Sequence, residues 1–251
     1  LLEVTATVDG DGAFSKVWLH GAAKRMFKGT YTLALALLAL WHAPASAGDL
    51  ADQLTEDARV SVLTASPGSD LYAAFGHTAI RVFDPSARLD YVFNYGTFVV
   101  DEGFYVRFVK GRMDYRLGVE RYGRFQNLYL RQGRALKEQV LNLSPEDVRA
   151  MAEHLEWNAQ PENATYAYDF FRDNCATRVI AVLHEVFGER FQTNCPATDS
   201  TYLEALRPFT AGNPWSAWGM ELILGAEAST AMPECGHAFL PDVLASRMTN
   251  M

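Results

Sequence analysis

The stretch that most constrains this chain is Tyr166-Ala167-Tyr168-Asp169-Phe170-Phe171-Arg172-Asp173-Asn174-Cys175-Ala176-Thr177-Arg178. An aromatic, strand-like run breaks at Asp173-Asn174, and a helical pattern begins at the next residue. Asp and Asn cap helices well because their side-chain oxygens accept the free N–H groups of a first turn. Val179, Val182, Leu183 and Val186 then recur at helical spacing, which predicts a helix held against a core, with Gly188 as its stop. Cys175 is thereby set at a helix N-terminus, where partial positive charge favours thiolate over thiol. Taken alone, the same cysteine also reads as a small buried apolar residue.

A chain of 251 residues suits one large domain or two small ones. Its net charge of −8 and pI near 5.3 argue against nucleic-acid binding and against a broad basic surface for anionic lipid. A secretory signal reads from Met26: Lys28 gives a short positive region, residues 30–41 an apolar run, and Ala45-Ser46-Ala47 a cleavage site. Residues 1–25 are then an upstream or non-native segment, 26–47 a signal peptide, and 48–251 one exported domain. Export favours disulfides. Of Cys175, Cys195 and Cys235, at least one lacks an intrachain partner. Cys195 and Cys235 both lie in turn-rich, proline-flanked segments and are the preferred disulfide pair, leaving Cys175 free.

Arg59–Ala65 reads as a strand. A hairpin follows, from Gly76-His77 through a turn at Pro85-Ser86-Ala87 and back along Leu89 to Gly96, which sets His77 roughly opposite Asn94 or Tyr95. Residues 98–108 are rich in aromatics, read as core packing ahead of a lipid groove, and 113–119 form a further strand. Residues 121–134 show no clean period. Ser144-Pro145-Glu146-Asp147 starts a helix whose apolar face is Val148, Met151, Ala152 and Leu155. Ser200 would cap a short helix stopped by Pro208, and 215–224 is helical. The fold class is α+β, an antiparallel sheet packed with helices.

A nucleophilic cysteine needs a base, and the base an orienting group. His20 and His42 precede the mature chain, and His184 lies nine residues along the Cys175 helix, too far to reach the thiol. His154 sits beside an apolar stripe and reads as structural, although neither it nor His237 is eliminated. His77 is the best base, because it opens a strand directly after a glycine, where a side chain can project from a sheet towards a helix terminus. Asn94 would accept the N–H of the other imidazole nitrogen and fix the tautomer. The backbone N–H of Cys175 is a natural oxyanion donor. No ligand spacing suggests zinc, no Gly-rich loop suggests a nucleotide and no G-x-S-x-G elbow is present, so neither metal nor cofactor is expected.

Three segments, Phe75-Gly76-His77-Thr78-Ala79-Ile80-Arg81, Asn94-Tyr95-Gly96-Thr97-Phe98 and Asp173-Asn174-Cys175-Ala176-Thr177-Arg178, together resemble the N-terminal periplasmic domain of Lnb-type lipoprotein transacylases. The Pro67-Gly68 turn and Phe239-Leu240-Pro241 fit the same pattern, and the resemblance covers residues 55–245. It implies a permuted papain-like or NlpC-like fold, a thiol nucleophile at Cys175 and a base at His77. Arg81, Tyr95, Asn174 and Arg178, within the matching motifs, stand as substrate-binding candidates. The implied reaction moves an acyl chain from the glyceryl group of a bacterial lipoprotein to its N-terminal amine. The implied partner is a lipoprotein or phospholipid acyl substrate at the membrane surface. Lnb-type enzymes also carry membrane-embedded segments, and none is found after residue 48. Either such a domain follows Met251, or the chain is a soluble relative with another substrate. The rival readings are a cysteine peptidase or amidase acting on cell-wall peptides and a non-catalytic envelope binding domain. A lipid substrate predicts an apolar trough, with Phe98, Phe104 and Phe108 as its candidates, and a peptide predicts a polar groove.

Overall fold

The strand expected at 59–65 forms, as β3 (Arg59–Ala65), in the computed structural model of the chain. The structure describes residues 3–8, 14–20, 49–69, 73–98, 114–191, 199–211, 214–233 and 236–248. It divides into Leu1–Pro44 and Ala45–Met251. In the first unit, β1 (Glu3–Val8) and β2 (Phe14–His20) pair as an antiparallel hairpin. The proposed signal peptide, Cys195 and Cys235 lie outside the described residues.

In the second unit β3 joins β4 (His77–Asp84), β5 (Leu89–Phe98), β6 (Asp114–Arg121), β7 (Leu136–Val140) and β8 (Thr165–Ala167). They form an antiparallel six-stranded sheet in the order β7-β3-β4-β5-β6-β8. Val60, Val62, Ile80 and Val82 bury towards one face, packed with Met151, Leu155, Val179 and Leu183. Leu63, Ala65, Ala79 and Val92 bury towards the other, under Phe125 and Tyr129. Both faces of the central strands are therefore covered, which is why they read as near-continuous apolar runs.

Among the described residues the helices are α1 (Asp49–Gln53), α2 (Tyr122–Arg131), α3 (Pro145–Asn158), α4 (Cys175–Phe187), α5 (Tyr202–Thr210), α6 (Pro214–Leu224) and α7 (Pro241–Arg247). The β4–β5 turn is held by the buried carboxylate of Asp84, whose Oδ1 accepts from the N–H groups of Ser86 and Ala87 at 2.9 Å. Ser144 caps α3, accepting from the Asp147 N–H, and Gly188 closes α4 at φ 56°.

Residues 121–134, which carry no clean period, contain α2. The helix has no side-chain cap and no acid in its first turn, and it buries only Phe125 and Tyr129, a pair one turn apart. Without a cap or an acid its start carries none of the usual signals of a helix N-terminus. The helix expected to be capped by Ser200 and stopped by Pro208 is capped instead by Thr201, in a reciprocal capping box with Glu204, and runs past Pro208 to Thr210. The proline sacrifices one backbone hydrogen bond, but Phe209 just beyond it packs on Phe75 with ring centroids 5.7 Å apart. No helix among the described residues is long and apolar enough to cross a membrane.

Candidate active site

Cys175 is the first residue of α4. The cap beneath it is Asn174, whose Oδ1 accepts from the N–H of Ala176 at 2.8 Å and of Thr177 at 3.0 Å. The Thr177 hydroxyl in return accepts from the Asn174 N–H at 2.7 Å. Asn174 also donates from Nδ2 to the carbonyls of Phe170 and Phe239, each at 2.9 Å. One buried amide thus fixes the start of α4, the approach to it and a segment 65 residues further on. The cap engages the N–H groups of Ala176 and Thr177 and does not use that of Cys175.

His77 enters from the opposite side as the first residue of β4. Gly76 before it has φ +83°, and a Cβ there would stand 2.8 Å from the Ala65 carbonyl oxygen. Only glycine lets the chain turn so tightly into the strand. The imidazole meets Asn94 at 2.6 Å, Nε2 to Oδ1. An amide oxygen only accepts, so the proton sits on Nε2, and Nδ1 is left for the sulfur of Cys175, with which His77 shares a hydrogen bond. Asn94 is oriented in turn by donating to Glu120 Oε1 at 3.5 Å. The β4–β5 register pairs Ile80 with Phe93, which extrapolates to Ala79 opposite Asn94 and His77 opposite Gly96. His77 and Asn94 therefore meet diagonally on one face, and the direct opposition to Asn94 or Tyr95 expected from the sequence is corrected by up to two residues. A register shift between Asn94 and Thr97 places Gly96, φ +92°, over the pair. A Cβ at Gly96 would lie 3.6 Å from His77 Cε1 and 3.8 Å from Cys175 Cβ, so any larger side chain would cover both.

Electrostatics couple the two groups. Burial pushes the Cys175 thiol pKa up. The His77 charge, its hydrogen bond and the N–H groups of Thr78 and Ala176 outweigh burial, so the thiol ends below its ordinary value. Burial likewise pushes His77 down, and the Arg134 charge opposes its protonation. The Cys175 charge and the hydrogen bonds to Cys175 and Asn94 prevail, and the imidazole ends above its ordinary value. Both shifts favour the thiolate–imidazolium form of the pair over the neutral one.

The pair sits at the floor of a cleft of about 230 Å³. Its walls are mostly apolar, with Phe75, Tyr115, Leu128, Tyr129, Phe170 and Phe239 among them, and Gln132 and Arg134 add polar groups. Phe104 and Phe108 lie outside the described residues, as does the side chain of Phe98 at the end of β5.

Of the remaining sequence candidates, only Asn174 lines this cleft, and its amide is committed to the four bonds given above. Arg81 lies on the same face as His77 but four residues, about 13 Å, further along β4. There it pairs with Asp90 at 2.8 Å and Glu138 at 3.0 Å, its guanidinium 3.6 Å from the centre of the Tyr122 ring. Tyr95 points through the opposite face into the core, its hydroxyl donating to Asn158 Oδ1. Arg178 faces away from the cleft, bonded to Asp173 and 4.0 Å over the Tyr166 ring. It lines a second cavity together with His154 and Glu185. Distance along the strand takes Arg81 away, and strand alternation and the helical turn send Tyr95 and Arg178 elsewhere, although their motifs are contiguous in sequence. Tyr115, Leu128, Tyr129 and Arg134 also line the cleft, unforeseen from the sequence. They come from β6, from the unrecognised α2 and from the loop after it, and no local pattern marks them.

A cysteine heading a helix, a histidine heading a strand, and an amide fixing the imidazole define an α+β domain organised around a thiol–imidazole pair. The family model of the Lnb N-terminal periplasmic domain matches residues 50–205, a span that includes His77, Asn94 and Cys175. The chain belongs to that family, as the motifs in its sequence suggested. No curated protein and no solved structure matches the chain. Phe239 and Pro241, which complete the cleft, lie beyond the matched segment.

Proposed function

We propose that this domain is a periplasmic cysteine-dependent acyltransferase acting on the acyl esters of a lipoprotein or lipid. The observation that carries the reading is the Cys175–His77–Asn94 array at the floor of an apolar, aromatic-walled cleft. In the first step the Cys175 thiolate attacks an ester carbonyl, and the oxyanion is held by the Cys175 N–H. His77 gives its proton to the leaving glyceryl oxygen as the C–O bond breaks, and a thioester remains on Cys175. In the second step an amine attacks the thioester, His77 takes the amine proton, and an amide and the free thiolate result. General acid–base help of this kind is worth about 10²–10⁴-fold in rate. Membership of the Lnb family supports a lipoprotein substrate and a permuted papain-like or NlpC-like ancestry. The walls favour acyl chains over the peptide of the rival peptidase or amidase reading, since Phe75, Leu128, Phe170 and Phe239 offer a peptide backbone no hydrogen-bond partners from their side chains. Trp215, Trp218 and Leu222, exposed at i, i+3 and i+7 of α6, also suit a domain that works at a lipid interface.

The test is incubation with a diacylated lipopeptide and, separately, with muropeptides, followed by mass analysis of protein and products. The reading expects an acyl group on Cys175, transfer to the lipopeptide amine, and neither with Cys175→Ala. Full transacylation by Cys175→Ala would refute it. Cleavage of muropeptides alone would replace it with the peptidase reading.

A further inference from the structure

The cleft contains one charged side chain that the chemistry above does not use. Arg134 follows α2 and is 6% exposed. Its Nε donates to the Ser66 carbonyl at 2.6 Å and its Nη1 to Gln132 Oε1 at 3.2 Å, while its guanidinium lies 4.7 Å over the ring of Tyr129. The loop that carries it is locked to Ser66 by hydrogen bonds in both directions, Ser66 N–H to the Ala135 carbonyl and Ala135 N–H to Ser66 Oγ, each 2.9 Å. Gly68 packs against its stem, where a Cβ would stand 3.0 Å from Arg134 Cδ. The remaining nitrogen, Nη2, is buried and has no hydrogen-bond partner among the described residues. No carboxylate pairs with Arg134 among the described residues, and no Asp or Glu appears among those that line the cleft. A buried, uncompensated guanidinium nitrogen is costly to hold. This one is held rigidly at the wall of the cleft that contains the thiol–imidazole pair.

We propose that Arg134 Nη2 binds an anionic phosphate oxygen of an amphiphilic acyl donor, so that the cleft takes phosphate-bearing lipids in preference to neutral acyl glycerols. Two features choose the ligand. An unpartnered guanidinium nitrogen suits an anionic oxygen. The surrounding Phe75, Leu128, Phe170 and Phe239 suit hydrocarbon, so charge and chain belong to one molecule. The word donor rests on the acyltransferase reading, but the binding does not.

The experiment measures binding without turnover. The full chain carrying Cys175→Ala is titrated calorimetrically with monomeric dihexanoylphosphatidylglycerol, with dihexanoylglycerol and with inorganic phosphate, and the same is done with Arg134→Gln and Arg134→Lys added. A hydrogen bond to a charged group is worth about 10- to 100-fold in affinity. The phospholipid should therefore bind at least about tenfold more tightly than the neutral lipid. Arg134→Gln should remove that preference while leaving dihexanoylglycerol unchanged, and Arg134→Lys should retain part of it. Equal affinity for the two lipids, or a preference that survives Arg134→Gln, overturns the proposal. Displacement of the phospholipid by millimolar inorganic phosphate also overturns it, by assigning the site to a free anion. Should Arg134→Gln fail to fold, the guanidinium ¹⁵N resonances of the parent decide: Arg134 must move with the phospholipid and stay put with the neutral lipid. The Cys175 thioester assay succeeds or fails separately, so loss of one reading is distinguishable from loss of the other.

Discussion

Asn174 carries two loads, and substitution can separate them. Its Oδ1 caps α4, while its Nδ2 ties that cap to the carbonyls of Phe170 and Phe239. Asn174→Ser keeps a good cap oxygen but removes both donors. The two carbonyls would be stranded, the one on Phe239 in a fully buried bond and the one on Phe170 in a partly buried one. An orphaned buried acceptor costs about 1–3 kcal/mol. The partly exposed Phe170 carbonyl falls at the low end, so Asn174→Ser should lose about 2–4 kcal/mol. Asn174→Ala loses the cap as well and should cost about 1 kcal/mol more. Urea unfolding followed by tryptophan fluorescence measures both variants, with an unchanged slope showing that the unfolded state is not at issue. If Asn174→Ser unfolds within about 0.5 kcal/mol of the parent, a surface-like value, the tie to Phe239 has no energetic weight. The account of how Cys175 is positioned would then fall.

Other perturbations test other joints of the site. Because His77 lowers the Cys175 pKa, iodoacetamide should label the folded protein readily at neutral pH, the rate rising as pH climbs through that lowered value. His77→Ala leaves burial unopposed by the imidazolium and should move the whole profile to higher pH. An unmoved profile would mean that the histidine does not ionise the thiol. Gly96→Val forces a branched residue into φ +92° and lays it over the pair, so it should cost about 1–3 kcal/mol of stability and block labelling by bulky maleimides. Unaltered maleimide kinetics would contradict the open face. Arg81→Met should lower stability by about 1–3 kcal/mol, less than for a wholly buried pair because Asp90 and Glu138 can rehydrate. Cys175 labelling should be unchanged, and a change would bring Arg81 back to the site.

The parts of this molecule that were legible in its sequence are those where the backbone signal and the packing signal coincide. β3 and the Ser144 cap show it, as does α4 with its Asn174 cap and Gly188 stop, each having both a local motif and an apolar period. Cys175 and His77 were legible for the same reason, since each opens an element marked by a cap or a glycine, and Asn94 through its place on the return strand of the hairpin. The cleft walls were not. Leu128, Tyr129 and Arg134 reach the site because α2 crosses the sheet face bearing His77, a tertiary fact that a segment burying only two residues does not announce. Arg81, Tyr95 and Arg178 show the reverse: nearness to a motif in sequence is not nearness to the cleft, because alternation turns Tyr95 and Arg178 away and distance along β4 separates Arg81.

The protonation state of the pair depends on backbone geometry more than on the identity of the two residues. Burial favours the neutral thiol at Cys175 and the neutral imidazole at His77, and their mutual contact, helped by the N–H groups of Thr78 and Ala176 and by Asn94, reverses both tendencies. Gly76 is the device that sets that contact from the His77 side, since a Cβ would meet the Ala65 carbonyl oxygen at 2.8 Å and the backbone would have to shift. Gly76→Ala should therefore reproduce much of the His77→Ala phenotype with the histidine still present. The Cys175 labelling profile should move to higher pH, and stability should fall by about 1–3 kcal/mol from strain at positive φ. A variant that loses stability but keeps the parent's labelling profile would show that the strand start tolerates displacement without separating sulfur from imidazole. The pair would then owe its charge to something other than the geometry that places it.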